Sequence, residues 1–279
     1  MSAWTDSKVV TSKSWAVIRD NKYLLMFPVL GFLFSLVPMA LFWIPAAWFL
    51  ANNQNVIGGI LAVIGVFGTT AAMTFSTGAL VAAADTELSG QDSSIDQGFK
   101  RALTRSGALL WWSVILTVVT LLLSALRGNN TGGAAAGIMR GVLAAIADVA
   151  WQLVTFFVLP IIIIEGSSPI EAIKASATLF RRKWGTQLAG GVRIGGLILL
   201  VAILPAIVGI VAGFFLTVAG TWAVGVPLMV LGVLVYAAAG LVAAAMRAIF
   251  SVALYRYAHD GRVEGPFTEQ ELQYAVRTR

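Results

Sequence analysis

Few residues in this chain have the types and spacing that chemistry needs. There is a single histidine, His259, and no cysteine, which excludes thiolate metal sites, disulfides and cysteine nucleophiles. No H-E-x-x-H, G-x-S-x-G or phosphate-cradling P-loop pattern occurs. An intramembrane aspartyl protease needs two aspartates at depth, and only Asp148 stands well inside an apolar stretch. His259 lies at the end of the last such stretch, where it reads as an interfacial polar residue. The pattern predicts no catalytic site, no cofactor site and no metal site.

Asp148 still requires a partner, because a carboxylate at mid-membrane costs about 2.5–3.5 kcal/mol. Arg247 is the obvious opposite charge. On the helical rise, however, it stands about 13 Å above the inner end of its helix and Asp148 about 25 Å above its own, so Arg247 is expected to snorkel inward. Asp148, Gln152 and Thr155 fall at i, i+4 and i+7 and share one helical face. Thr70, Thr74 and Thr77 repeat that spacing at similar depth on an earlier helix. The expectation is a polar seam between the two helices, with a protonated Asp148 hydrogen-bonded inside the bundle. Its structural reading is favoured, and an ion or proton path is the functional alternative.

The elements that would position these groups are set by composition. Of 279 residues, 58% are hydrophobic and 11% charged, whereas soluble domains carry about 25% charge. Residues 23–84 and 194–246 contain no Asp, Glu, Lys or Arg, and each run is long enough for two crossings of about 20 residues. The first run is too long for a signal-peptide core of about 7–15 residues, so it reads as a retained membrane segment. The amides Asn52-Asn53-Gln54-Asn55 split it, and Gly220-Thr221 split the second run. Spans are predicted near 23–50, 56–84, 106–126, 138–164, 190–217 and 222–256. The fold class is therefore all-α integral membrane with six transmembrane helices. One membrane domain occupies 1–279: an amphipathic N-terminal segment (1–22), the bundle (23–256) and a tail (257–279).

Seventeen of the 19 Lys and Arg fall on one predicted side, and only Arg127 and Arg140 on the other. The positive-inside rule puts both termini in the cytoplasm. It also accounts for the net charge of +6 without nucleic acid as a partner. Trp43, Trp48 and Trp222 suit the outer interface, Trp111 and Trp112 the inner one. Gly209 and Gly213 have the spacing of close helix contacts, within the bundle or between copies.

Two inner segments read as amphipathic helices. In 94–105, Ile95, Phe99, Ala102 and Leu103 form a stripe. In 168–184, Ser168-Pro169-Ile170-Glu171 opens a helix with a capping box. Ile170, Ile173, Ala177, Phe180 and Trp184 form its apolar face, and Lys174, Arg181, Arg182 and Lys183 supply cations for anionic lipid at the inner leaflet. A second capping box stands at 268–271. Three stretches, about 7–84, 93–164 and 168–256, each run amphipathic segment then two spans, which predicts a threefold repeat of helical hairpins.

Ser14-Trp15-Ala16-Val17-Ile18-Arg19 followed by Leu24-Leu25-Met26-Phe27-Pro28 resembles the opening of an uncharacterised prokaryotic membrane-protein family, domain of unknown function six-one-five-nine. The resemblance continues at Thr155-Phe156-Phe157-Val158-Leu159-Pro160, Glu165-Gly166, Pro169-Ile170-Glu171-Ala172, Lys183-Trp184-Gly185 and Gln187-Leu188. It implies a bacterial or archaeal cell membrane and no known activity. A remoter likeness is to membrane domains attached to some glycerophosphodiester phosphodiesterases. Their soluble catalytic domain has no counterpart in this sequence, so that activity is not implied.

The expected function is that of a non-catalytic polytopic membrane protein, a scaffold or accessory subunit for a membrane partner, with the lipid bilayer, a second membrane protein or another copy of the chain as its contacts. The alternative is a small carrier or channel for a small molecule, ion or lipid.

Overall fold

The computed structural model describes residues 13–128, 133–184, 203–263 and 265–268. Regular structure among them is entirely helical, without a strand. Five described helices are long and apolar enough to cross a membrane: Lys22–Ala51, Asn55–Leu88, Ser106–Arg127, Met139–Glu165 and Trp222–Asp260. The predicted span near 190–217 lies outside the described residues in its first part, up to residue 202. Its end is a shorter apolar helix, Leu204–Val218. The capping box at 268–271 also lies outside them, except for Thr268.

A short helix α1 (13–20) precedes α2 (Lys22–Ala51), which pairs with α3 (Asn55–Leu88) across the polar turn at Asn52–Gln54. The amphipathic α4 (Ile95–Leu103) leads into α5 (Ser106–Gly128) and α6 (Gly133–Thr155). After a break at Phe156-Phe157 the chain resumes as α7 (Val158–Pro160), which runs into a π-helical turn over Ile161–Glu165. The second amphipathic helix is α8 (Pro169–Trp184), followed by the hairpin of α9 (Leu204–Val218) and α10 (Trp222–Asp260).

Prolines explain the irregularities. A proline removes an intrahelical donor and crowds the preceding turn, and a π turn re-satisfies the strained ladder. Both π stretches follow one directly, Met39–Trp43 after Pro38 and Ile161–Glu165 after Pro160. At the Phe156-Phe157 break, the Phe157 N–H donates to the Ser176 hydroxyl of α8, 3.3 Å away, so the restart is capped from another helix.

The core gathers at the end of the bundle that carries most of the cations. Leu24 and Phe27, Ala79 through Ala84, Leu109 and Trp112, Phe157, Val158 and Ile161 through Ile163, and Met246, Ile249, Phe250, Ala253 and Leu254 belong to one cluster there. Alanine is frequent on α3 and α10 at this level and lets the two backbones approach. Trp112 is buried and stacks on Trp151 at 6.0 Å. Its neighbour Trp111 is exposed.

Toward the far end each hairpin packs chiefly on itself, and glycines make this close. A Cβ at Gly65 would press on Trp43, and one at Gly213 would lie 2.7 Å from the Gly225 carbonyl. Gly213 therefore serves the contact of α9 with α10. Leu122, Ile146, Val218 and Val224 on the outward turns are exposed.

Candidate functional site

The densest chemistry lies where the helices end at the basic side. Asp85, in the last turn of α3, is only 3% exposed. It accepts from Nε and Nη2 of Arg256 on α10, at 2.9 and 2.7 Å, through Oδ1. Its Oδ2 faces Nη1 of Arg101 on α4 at 3.1 Å. Arg256 also reaches Asp260 one turn on, at 3.2 Å. One buried carboxylate thus ties α3, α4 and α10 together through charge-assisted contacts with two guanidiniums.

A second set surrounds Glu165 at the end of the π turn. The Tyr255 hydroxyl of α10 donates to its carboxylate, and His259 Nε2 lies 3.5 Å from the same oxygen. The His259 ring stacks on Tyr255 at 5.5 Å, with Nδ1 2.7 Å from Asp260. The Arg105 guanidinium lies over Gly166, whose positive φ of 78° ends the π turn. A side chain at Gly166 would collide with that guanidinium as well as strain the backbone.

Three further hydrogen bonds extend the network. Tyr23 donates to Glu87 at 2.5 Å, and the Ser93 N–H donates to the same oxygen at 2.9 Å. Lys13 donates to the Pro266 carbonyl at 2.8 Å, joining α1 to the segment after α10. Together these bonds cross-link the ends of α1, α2, α3, α4, α7 and α10. What the arrangement does chemically is hold charge in fixed pairs. Among the described residues, no group of three His, Asp or Glu side chains could hold a metal ion.

The residues singled out from sequence are placed differently from the expected seam. Thr70, Thr74 and Thr77 lie on α3, and Asp148, Gln152 and Thr155 on α6. The main packing partners of α6 are α5 and α8, so the two stripes do not form facing walls. Thr77 bonds the Met73 carbonyl and Thr155 the Trp151 carbonyl, each within its own helix.

Asp148 pairs with Arg127 at the end of α5, and it is that guanidinium, rather than threonine hydroxyls, that satisfies the carboxylate. Depth explains the pair. Arg127 stands about 31 Å along α5 from Ser106, and Asp148 about 25 Å from Glu165, a gap that an arginine side chain spans. Both groups therefore sit near the far boundary of a hydrocarbon core about 30 Å thick. Consistently, the pair is partly open, with side chains 52% and 29% exposed.

The amphipathic helices keep their character with a shifted phase. α8 buries Ala172, Ser176 and Phe180, while Ile170, expected on the apolar face, is 51% exposed. Lys174 and Arg181 are exposed; the side chains of Arg182 and Lys183 lie outside the described residues. The capping box is formed: Ser168 N–H donates to Glu171 at 3.0 Å, its hydroxyl donates at 2.7 Å, and Glu171 N–H donates back to that hydroxyl at 3.4 Å. These bonds hold the Glu171 carboxyl below the usual range. α4 buries Gly98 and Ala102 but exposes Leu103.

Sequence reasoning missed the Asp85 and Glu165 networks. The available signal was positional: Asp85, Glu165 and Asp260 each stand where the second helix of a hairpin ends. The description of the family model that matches this chain is "Family of unknown function (DUF6159)", and the match covers residues 56–265. No curated protein matches the chain.

Proposed function

Because this chain belongs to the DUF6159 family of unknown function, we propose its role from its own geometry: a non-catalytic membrane scaffold or accessory subunit. The carrying observation is the contrast between a base cross-linked through Asp85 and hairpins that carry exposed apolar faces beyond it. A fixed base with exposed apolar arms suits lateral contact with another membrane protein or a second copy, since helices associate in lipid through packing surfaces.

In this reading six spans cross a prokaryotic cell membrane. The fifth, expected near 190–217, includes the apolar helix Leu204–Val218, and the basic end faces the cytoplasm. The element order supports a threefold repeat: α1, α4 and α8 each precede a hairpin, and each buries a small residue, Ser14, Ala102 and Ser176. The exposed Trp15, Leu103 and Ile170 beside Lys174 and Arg181 suit an anionic inner leaflet, each cation adding about 1 kcal/mol there.

Purification of the full chain in mild detergent, with identification of what remains bound, tests the role. A stoichiometric membrane protein, or a defined homo-oligomer, is the expected result. A monomer that retains one defined small molecule instead overturns the scaffold reading in favour of a carrier. An inside-only reporter fused to the C-terminus and an outside-only reporter within 128–136 test the topology; both are expected to be active.

A further inference from the structure

Between the first hairpin and α10 lies a cavity of about 360 Å³. Phe32 of α2, Met73 and Ser76 of α3, and Tyr236, Gly240 and Ala244 of α10 are among its walls. These helices are candidate membrane spans, and Phe32, Met73 and Tyr236 are partly exposed along the same surface. The cavity therefore continues the lipid-facing surface of the bundle and opens to hydrocarbon.

Glycine packing shows that the concavity is not a helix contact. A Cβ at Gly213, Gly225 or Gly232 would meet the opposing helix of the α9–α10 hairpin at under 3 Å. A Cβ at Gly240 meets nothing within 4 Å. α10 stands off from α2 and α3 at that point, and the missing side chain adds to the open space.

The walls identify the occupant. The Thr77 hydroxyl is taken up by the Met73 carbonyl. The Ser76 hydroxyl is buried against Gly31, where an added Cβ would come within 3.1 Å of it. Tyr236 brings a third hydroxyl and Ser76 keeps no hydrogen-bond partner, but the other walls, among them Pro28, Phe32, Met73, Leu80 and Leu241, are apolar. Largely apolar walls that open onto the lipid-facing surface fit a single flexible hydrocarbon chain.

We propose that this cavity holds one acyl chain of a membrane lipid, seated between the first hairpin and α10. The assignment does not depend on the scaffold reading, because a structural lipid is compatible with either role.

The test uses the full chain in vesicles of phosphatidylethanolamine and phosphatidylglycerol. A minor fraction of the phosphatidylethanolamine carries a photoactivatable diazirine in one acyl chain, and cross-links are mapped by mass spectrometry. Labelling at Phe32, Met73 and Tyr236 is expected to exceed labelling at the lipid-facing Leu122 and Val208 by about tenfold, the ratio that about 1.4 kcal/mol of preference produces. Gly240→Leu fills the space and should abolish that excess while leaving Leu122 and Val208 unchanged. Leu234→Phe, on exposed surface of the same helix, should change neither. Equal labelling of cavity and control positions, meaning ordinary boundary lipid only, overturns the proposal, as does an excess that survives Gly240→Leu. If Gly240→Leu fails to fold, Ala244→Val occupies the same space and is read by the same ratio.

Discussion

The basic half of the bundle and its far half are equally apolar helix, yet only the first is packed across hairpins. Ala79, Leu80, Ala83, Ile249 and Ala253 are buried among several helices, while Leu122, Ile146 and Val218 face outward. Hydrophobicity does not draw helices together in lipid, because the hydrocarbon around them is equally apolar. Close backbones and paired polar groups do. The basic half has both, in its alanines and in the carboxylates of Asp85 and Glu165. The far half has glycine contacts within hairpins and the Arg127–Asp148 pair within a hairpin, so among the described residues cohesion there is chiefly that of the hairpin.

The most severe break of this contrast is Asp85→Ala. It removes the buried acceptor that Arg101 and Arg256 share, while Arg256 keeps Asp260, and should cost about 3 kcal/mol, the low end for breaking a buried pair, read as thermal unfolding in mild detergent. Leu122→Ala in the far half should stay within about 0.5 kcal/mol. Comparable losses from the two would show that the halves do not differ. Gly213→Leu comes next. It drives a side chain into Gly225 and Met229 and should cost about 1–3 kcal/mol, with the α9–α10 hairpin becoming protease-sensitive before the base does.

Ser168→Ala probes the margin of the packed half and should cost about 1 kcal/mol, the usual worth of a serine cap. Its pH dependence sharpens the point. The Glu171 carboxyl is held below the usual range by Ser168, so the stabilisation is complete above the unfolded carboxyl's pKa and is lost as pH falls through the lower folded value. Thermal unfolding against pH should show that acid-side loss in the parent chain and a smaller one in Ser168→Ala, which keeps the N–H donor at position 168. The smallest effect is expected at Asp148→Asn, below about 1 kcal/mol because the pair with Arg127 is partly open. A loss as large as that of Asp85→Ala would mean that the far half is held together by charge as well.

Much of the helix layout was legible from charge and amides. The predicted spans near 56–84 and 106–126 meet helices at Asn55–Leu88 and Ser106–Arg127, because Asn52–Gln54, Asp85 and Arg105 mark where apolar sequence gives way. The capping box at Ser168 was legible too, since its signature is local. The partners of Asp148 and Asp85 were not. Spacing at i, i+4 and i+7 tells which residues share a face but not which helix that face meets. Asp85, Glu165 and Asp260 stood out little because orientation is read from Lys and Arg, while acids contribute little to that count. The face of α8 was misjudged by part of a turn because Ser176, polar in type, is buried where it caps the break at Phe157.

The pair between Arg127 and Asp148 also bears on how the chain enters a bilayer during synthesis. A charged side chain within a span costs about 2.5–3.5 kcal/mol at the helix centre and less toward the boundary. Arg127 belongs to α5 and Asp148 to α6, so either helix inserted alone would carry an unpaired charge at the far edge of the hydrocarbon, where the cost is at the low end of that scale. Inserted together, each neutralises the other. The connection between them is short enough for both to leave the ribosome within seconds at about 5–20 residues per second. The unit of integration is then the hairpin rather than the single helix, and α5 would wait at the translocation machinery until α6 had been made.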